Sequence, residues 1–459
     1  MSRLAMIGLD CAAPQLVFER WRDDLPNLRS LMDDGVYGKL RSTIPPITVP
    51  AWTSMMTSQD PGQLGFYGFR NRASYDYKDL FFANAKYVKA KTVWNYLSRQ
   101  RLNSLVFGVP QTYPPKPLKG VMVSSFLTPS KEVQWTHPRE AASEVDQAAG
   151  GDYMIDVKDF RTDDKDWLLD QIHEMTRRRF SAFRHFVRKK EFDFMAMVEM
   201  GIDRMHHGFW RYFDEEHRLY EPGHKYEHAI RDYYKLVDEE IGLLLDDLPR
   251  DTSVMVTSDH GARRMDGAIC VNEWLIREGL LTLKETPTEP TRLTPDMVNW
   301  SKTKAWGEGG YYSRIFLNVE GREPKGKIPS ADYDAFRDEL KAKIEAIPDE
   351  KGNPIGTTVY KPEDIYRVVN GIAPDLIVFF GDLAWRSAGS VGTGAVHIFE
   401  NDTGPDDANH DWDGIFIWDH PAKVDVKKKD PYSIYDIAPT ILRFFNVDIP
   451  EHMIGEPLF

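Results

Sequence analysis

The sequence predicts an α/β protein built on a doubly wound, mostly parallel sheet with helices on both faces. Short apolar runs of strand length recur along most of the chain, segments with helical spacing alternate with them, and polar or turn residues bound each run. Strands covered on both faces read as continuous apolar runs, and helices between them make the crossovers that parallel pairing needs.

The elements follow in chain order. "RLAMIGLD" (3–10) reads as a first buried strand; Pro14 then opens a helix to about Asp34 that closes at Gly35. "NSLVFGVP", "GVMVSSF", "FDFMAMVEM", "TSVMVTSDH", "PDLIVFF" and "DGIFIW" are the further strand candidates. Helical patterns are expected at about 89–101, 138–149, 163–190, 224–247, 330–346 and 433–445. The chain reads as one domain, 1–459, with 270–370 as an inserted, cap-like segment, because "KETPTEPTRLTPD" and "GREPKGKIPS" are rich in Pro, Gly and charge.

Composition narrows the function. A formal charge of -13 argues against a protein that wraps nucleic acid, which needs a basic face. It leaves small phosphorylated substrates open, since bound cations reverse the sign of a site. Two cysteines, Cys11 and Cys270, make neither a disulfide framework nor a thiolate-rich metal site, and a reducing compartment fits. The apolar run Leu4 to Leu9 is too short for a signal-peptide core and no run of about eighteen apolar residues occurs, so a soluble, cytoplasmic protein is expected.

Open α/β sheets do their chemistry beyond the carboxyl ends of the strands. There stand Asp10, then Asp259 and His260 before Gly261, then Asp203 and His207 spaced i, i+4 after another strand, and His410 just before the last strand-like run. A lone Asp at a strand end is an ordinary cap, and single histidines such as His206, His397, His420 and His452 read as polar side chains with ordinary partners. Three such sites at one sheet edge point instead to divalent cations, which take carboxylate oxygen and neutral imidazole, zinc accepting both. Three Asp, three His and one ionised hydroxyl carry about -4, which balances two divalent cations.

Taken together, "IGLD" (7–10), "PPITVPAWTSM" (45–55), "GIDRMHH" (201–207), "TSDHGA" (257–262) and "NHDWDGIFI" (409–417) resemble the alkaline phosphatase superfamily, closest to its type I phosphodiesterase and nucleotide pyrophosphatase group. The tail "YDIAPTILRFFNVDIPEHMIGEPL" (435–458) is similar to that superfamily's usual C-terminal segment. The resemblance implies an alkaline-phosphatase-like core with two divalent ions, zinc or manganese. One would be held by Asp10, Thr48, Asp259 and His260, the other by Asp203, His207 and His410. It also implies Thr48 as nucleophile, ahead of a helix expected after Pro50, and hydrolysis of a phosphodiester or pyrophosphate bond through a phospho-threonine. The substrate is expected to be a small phosphorylated molecule, whether nucleotide, sugar or lipid-linked.

Departures from neighbouring branches sharpen this. Sulfatases need C-x-P-x-R or its Ser form, but the register here reads Thr48-Val49-Pro50-Ala51-Trp52. Phosphoglycerate mutases of this fold use Ser and a large inserted domain. A phosphomonoesterase, or a phosphoryl or head-group transferase, would use the same residues. A non-catalytic binding protein would lack a ligand or the nucleophile, and all seven positions are filled. Many nucleotide pyrophosphatases carry Asn three residues after the nucleophile, where this chain has Ala51.

Three weaker signals remain. "TRRRFSAFRHFVRKK" (176–190) is a basic amphipathic helix, a solvated face of a core helix or a peripheral membrane contact. "GSVGTGAV" (389–396) is no P-loop and reads as a mobile loop. The carboxylates of "NDTGPDDANH" read as turn residues or partners of His410.

Overall fold

A computed structural model describes residues 3–421 and 425–459. Its centre is a nine-stranded sheet in the order Tyr432–Ser433, Val36–Arg41, Asp413–Asp419, Thr252–Thr257, Arg3–Leu9, Phe194–Glu199, Ser104–Phe107, Gly120–Val123, Thr136–His137. The five strands from Thr252–Thr257 to Gly120–Val123 run parallel. Asp413–Asp419 and Thr136–His137 lie antiparallel to the neighbours that flank this block. The first strand is buried along nearly its whole length because it sits mid-sheet between Phe194–Glu199 and Thr252–Thr257. That position explains its unbroken apolar run.

Helices cover both faces of the sheet. Lys165–Lys189, Gly201–Phe213 and Ala229–Asp247 pack on one another, and Thr48–Thr57, Val93–Arg99 and Ile437–Phe444 form a second group. Among the described residues, no helix is long and apolar enough to cross a membrane.

Several expected elements change shape. The helix foreseen from Pro14 to Asp34 is three pieces: a π-turn Gln15–Arg20, a 3-10 turn Arg22–Asp24 and an α-helix Pro26–Asp34. Pro26 has no N–H and crowds the preceding residue out of helical geometry, so a continuous helix cannot pass it. Position 35, just past the last piece, must be glycine because a Cβ there would lie 2.2 Å from the Trp418 carbonyl oxygen. The run 374–380, expected in the main sheet, forms Leu376–Phe379 of a separate four-stranded antiparallel sheet with Ala305–Glu308, Ser313–Leu317 and Thr358–Tyr360. An apolar run does not name the sheet that buries it. That sheet packs with Val271–Arg277 and Tyr333–Glu345 around a second, smaller hydrophobic core.

Candidate metal centre

The carboxyl ends of adjacent parallel strands deliver the polar cluster. Asp10 follows Arg3–Leu9 and its N–H donates to the Glu199 carbonyl at 2.9 Å. Asp259 and His260 follow Thr252–Thr257, and Asp203 and His207 lie one turn apart on Gly201–Phe213, which follows Phe194–Glu199. His410 comes from the short strand Ala408–Asp411, which pairs with Gly261–Arg264 so that His410 stands opposite Ala262. Thr48 is the first residue of Thr48–Thr57. The helix therefore begins at Thr48 rather than after Pro50, because proline is tolerated in a first turn, where its missing N–H has no bond to make.

All seven side chains meet at one buried point. His207 Nε2 is 3.2 Å from Asp203 Oδ1 and 3.3 Å from His410 Nε2, and His410 Nε2 is 3.6 Å from Asp203 Oδ1. His260 Nε2 is 3.2 Å from Asp259 Oδ2, 3.9 Å from Asp10 Oδ1 and 3.4 Å from Thr48 Oγ1. Among the described residues, three trios each bring donor atoms within 4.8 Å: Asp203, His207 and His410; Asp10, Asp203 and His260; and Cys11, His260 and His410. Asp203 thus belongs to both carboxylate-bearing groups, Cys11 joins the cluster, and Asp259 reaches it through His260 and by accepting from the Cys11 N–H at 3.3 Å.

Each imidazole is oriented from behind. His207 Nδ1 donates to Asp406 Oδ1 at 2.7 Å, His410 Nδ1 to the Pro46 carbonyl at 2.9 Å and His260 Nδ1 to the Gly261 carbonyl at 3.1 Å. A ring whose Nδ1 donates keeps the Nε2 lone pair for the cluster. Asp406 serves His207, not His410 as expected for this acidic stretch, and Asp407 pairs with Arg211 at 2.5 Å. Asp10 Oδ2 accepts from Trp52 Nε1 at 2.7 Å.

Burial governs the charges. It pushes the Asp10 carboxyl well above the usual carboxylate range, with the Asp203 charge adding to it, and does the same to Asp259 with Asp10 adding. Burial, then His410, also drives the His260 imidazole well below its ordinary value. For Asp203 burial works upward, but His207, His410 and Arg204 together hold it well below the usual range. Asp10 Oδ1 and Asp259 Oδ2 are buried without a hydrogen-bond partner among the described residues. Orphaned carboxylate oxygens beside inward-facing imidazole nitrogens fit divalent cations of the hard or borderline kind. Because Asp406 holds the His207 ring, Asp406→Asn is expected to weaken cation binding by about 10–100-fold, read by titration against a chromogenic chelator; unchanged affinity would remove Asp406 from this role.

Of the hydroxyls near Thr48, those of Thr53 and Thr57 return to backbone carbonyls of their own helix, Val49 and Thr53, at 2.7 Å each. Thr48 Oγ1, by contrast, lies beside His260 of the cluster. The other histidines have ordinary neighbours: His206 meets Tyr234, His397 the Pro348 carbonyl, His452 Tyr96, and His420 packs on Trp418 and Phe444. On the basic helix Phe180, Phe183 and Val187 are core residues. Its Arg184 and Arg188 pair with Asp247, and Lys189 and Lys190 with Glu144, so it presents no apolar face outward. The stretch 389–396 is pinned rather than loose: Asp402 accepts from the N–H groups of Gly389 and Ser390, and Glu273 from those of Gly392 and Thr393.

The cluster opens into a cleft of about 810 Å³. Phe69, Phe82 and Phe126 line it, together with Trp300 and Trp306 of the second core. Tyr311, from the same segment, stacks on His410 with ring centres 4.0 Å apart and lies 4.9 Å from His207. Tyr311 is legible in sequence only as one loop aromatic among many; its ring contacts span about a hundred residues.

A family model described as type I phosphodiesterase / nucleotide pyrophosphatase matches residues 4–413. No curated protein sequence matches the chain. Among solved structures, human ectonucleotide pyrophosphatase / phosphodiesterase 5 is 14% identical with a TM-score of 0.57, over 99% of this chain and 97% of that one. An inactive variant of the murine counterpart in complex with AMP is 14% identical with a TM-score of 0.55, over 98% and 96%. Phosphonoacetate hydrolase from Sinorhizobium meliloti 1021 in complex with phosphonoacetate is 14% identical with a TM-score of 0.63, over 97% and 94%. At such identities the likeness is one of fold.

Proposed function

Since the chain belongs to the type I phosphodiesterase / nucleotide pyrophosphatase family, we propose that it cleaves a phosphodiester or pyrophosphate bond in two steps through a covalent phospho-threonine at Thr48. One observation carries this reading: the Thr48 hydroxyl lies 3.4 Å from His260 Nε2, at the edge of a cluster with unsatisfied carboxylate oxygens. Asp10, Asp259 and His260 would hold one divalent cation and Asp203, His207 and His410 another, zinc or manganese. When bound, such cations lower the pKa of a coordinated hydroxyl and offset negative charge on phosphoryl and leaving oxygens.

The chain's own residues do the rest. Thr48 Oγ1 forms the bond to phosphorus as the bond to the leaving oxygen breaks; water then cleaves the phospho-threonine, returning the hydroxyl and releasing the phosphorylated product. The first turn of Thr48–Thr57 supplies backbone N–H groups to the phosphoryl oxygens. Ala51 is buried and offers no polar group, so recognition of the substrate falls to the cleft walls, whose aromatic rings suit a base, an aryl group or an apolar tail. The AMP and phosphonoacetate bound by the structural neighbours support a small phosphorylated substrate.

The test is turnover by zinc- or manganese-loaded protein of bis(p-nitrophenyl) phosphate against p-nitrophenyl phosphate. The diester is expected to be favoured in kcat/KM by at least about tenfold, which is 1.36 kcal/mol of transition-state stabilisation. A preference for the monoester would make the protein a phosphatase instead.

A further inference from the structure

Two arginines in the cleft are used neither by the ligand cluster nor by attack at Thr48. Arg386, on the strand Trp385–Ala388, and Arg161, just before Lys165–Lys189, both line the cleft and share one carboxylate. Asp406 Oδ2 accepts from Arg386 Nη1 at 3.0 Å and from Arg161 Nε at 3.2 Å, while Oδ1 accepts from His207. Arg161 also donates from Nη2 to the Tyr311 hydroxyl at 2.7 Å.

The contrast with Arg204 is instructive. That guanidinium has two carboxylates, Asp156 gripping it with both oxygens and Asp203 close by, so its charge is more than matched. Among the described residues, Arg161 and Arg386 together have one. The Arg386 side chain is only 4% exposed, and its Nε has no hydrogen-bond partner among the described residues. Buried cations are ordinarily paired and buried donors ordinarily satisfied. A buried guanidinium that is under-paired and has an unmet donor at a cleft wall is suited to an incoming anion.

We propose that Arg161 and Arg386 form a second anion subsite, one carboxylate beyond the ligand cluster, that binds an acidic group of the substrate additional to the phosphoryl group attacked by Thr48. The substrate class is then a phosphoester carrying a further carboxylate or phosphoryl group. This rests on the cleft being the site of phosphoester hydrolysis. Asp406 couples the two places, since the carboxylate that orients His207 also sets the two guanidiniums.

Competition against bis(p-nitrophenyl) phosphate turnover tests it, using glycerol 3-phosphate, 3-phosphoglycerate and glycerol 1,3-bisphosphate with the cation in excess. In the unmodified protein at least one doubly acidic competitor is expected to inhibit at concentrations about tenfold below glycerol 3-phosphate, and which one does so separates a carboxylate partner from a phosphoryl partner. Arg386→Gln and Arg161→Gln should each reduce that preference to about threefold or less, whereas Arg386→Lys should retain part of it. Arg161 is partly exposed, so its variant reports even if the Arg386 change disturbs folding. Equal inhibition by all three competitors, or an undiminished preference in both Gln variants, would overturn the proposal. If arginines merely brace Asp406, all three competitors weaken together and cation affinity falls, which also overturns it. Absence of reporter turnover would count against the hydrolase reading alone, and calorimetric binding of the same three competitors would then decide the subsite by the same ratios.

Discussion

Thr48→Ala is expected to reduce diester turnover by at least about 10³-fold while the protein stays folded, because losing a covalent nucleophile is among the largest single-residue effects on catalysis. The Thr53 and Thr57 hydroxyls of the same helix are committed to their own backbone. Nor does the helix need the hydroxyl: Ile47 is the N-cap, and no side chain caps the first turn. Thr48→Ser keeps the attacking oxygen and should keep a substantial part of the rate. Trapping of a phosphorylated peptide containing residue 48 from the unmodified enzyme, and not from the Ala variant, would locate the intermediate. Full diester turnover by Thr48→Ala would remove Thr48 from the mechanism.

The second large effect is expected on stripping divalent cations with a chelator. Activity should vanish, and the melting temperature should fall by several degrees, because a ligand bound only to the folded state stabilises it by about 4.1 kcal/mol per site at a thousandfold excess over its Kd. The cause is visible in the cluster: Asp10, Asp203 and Asp259 are buried together, and burial with mutual repulsion already pushes two of them toward neutrality. Cations relieve that repulsion. Calorimetric scans with and without chelator, followed by titration with zinc and with manganese, measure the effect and identify which ion restores activity and stability together. A chelated protein with unchanged melting temperature and full turnover would show that the cluster serves some other purpose.

Much of this was readable in the chain because a parallel sheet writes itself plainly: five adjacent strands buried on both faces give unbroken apolar runs, and three of them, Arg3–Leu9, Phe194–Glu199 and Thr252–Thr257, lead at their carboxyl ends into the cluster residues. Asp10, Asp203, His207, Asp259 and His260 could therefore be placed by counting from strand ends, and His410 by its position just before the last strand-like run. Thr48 came from resemblance, and the sequence alone does not say that the strand bearing His410 folds back against Gly261–Arg264. What stayed hidden are pairings across long separations. Asp406 lies 199 residues from His207, so the acidic stretch was matched to its sequence neighbour His410 instead. Leu376–Phe379 has the composition of a central strand but belongs to the smaller sheet, because its partners Ser313–Leu317 and Thr358–Tyr360 are specified elsewhere.

Trp52 gives the Thr48 helix a meaning beyond carrying a nucleophile. Its indole N–H grips Asp10 from four residues downstream of Thr48, one helical turn, so both side chains emerge on the same face. The helix acts as a ruler between the attacking oxygen and one wall of the cluster. A single residue gained or lost between positions 48 and 52 would rotate one relative to the other by about 100°. Chain length in this one turn is therefore as strict a requirement as the identity of either residue.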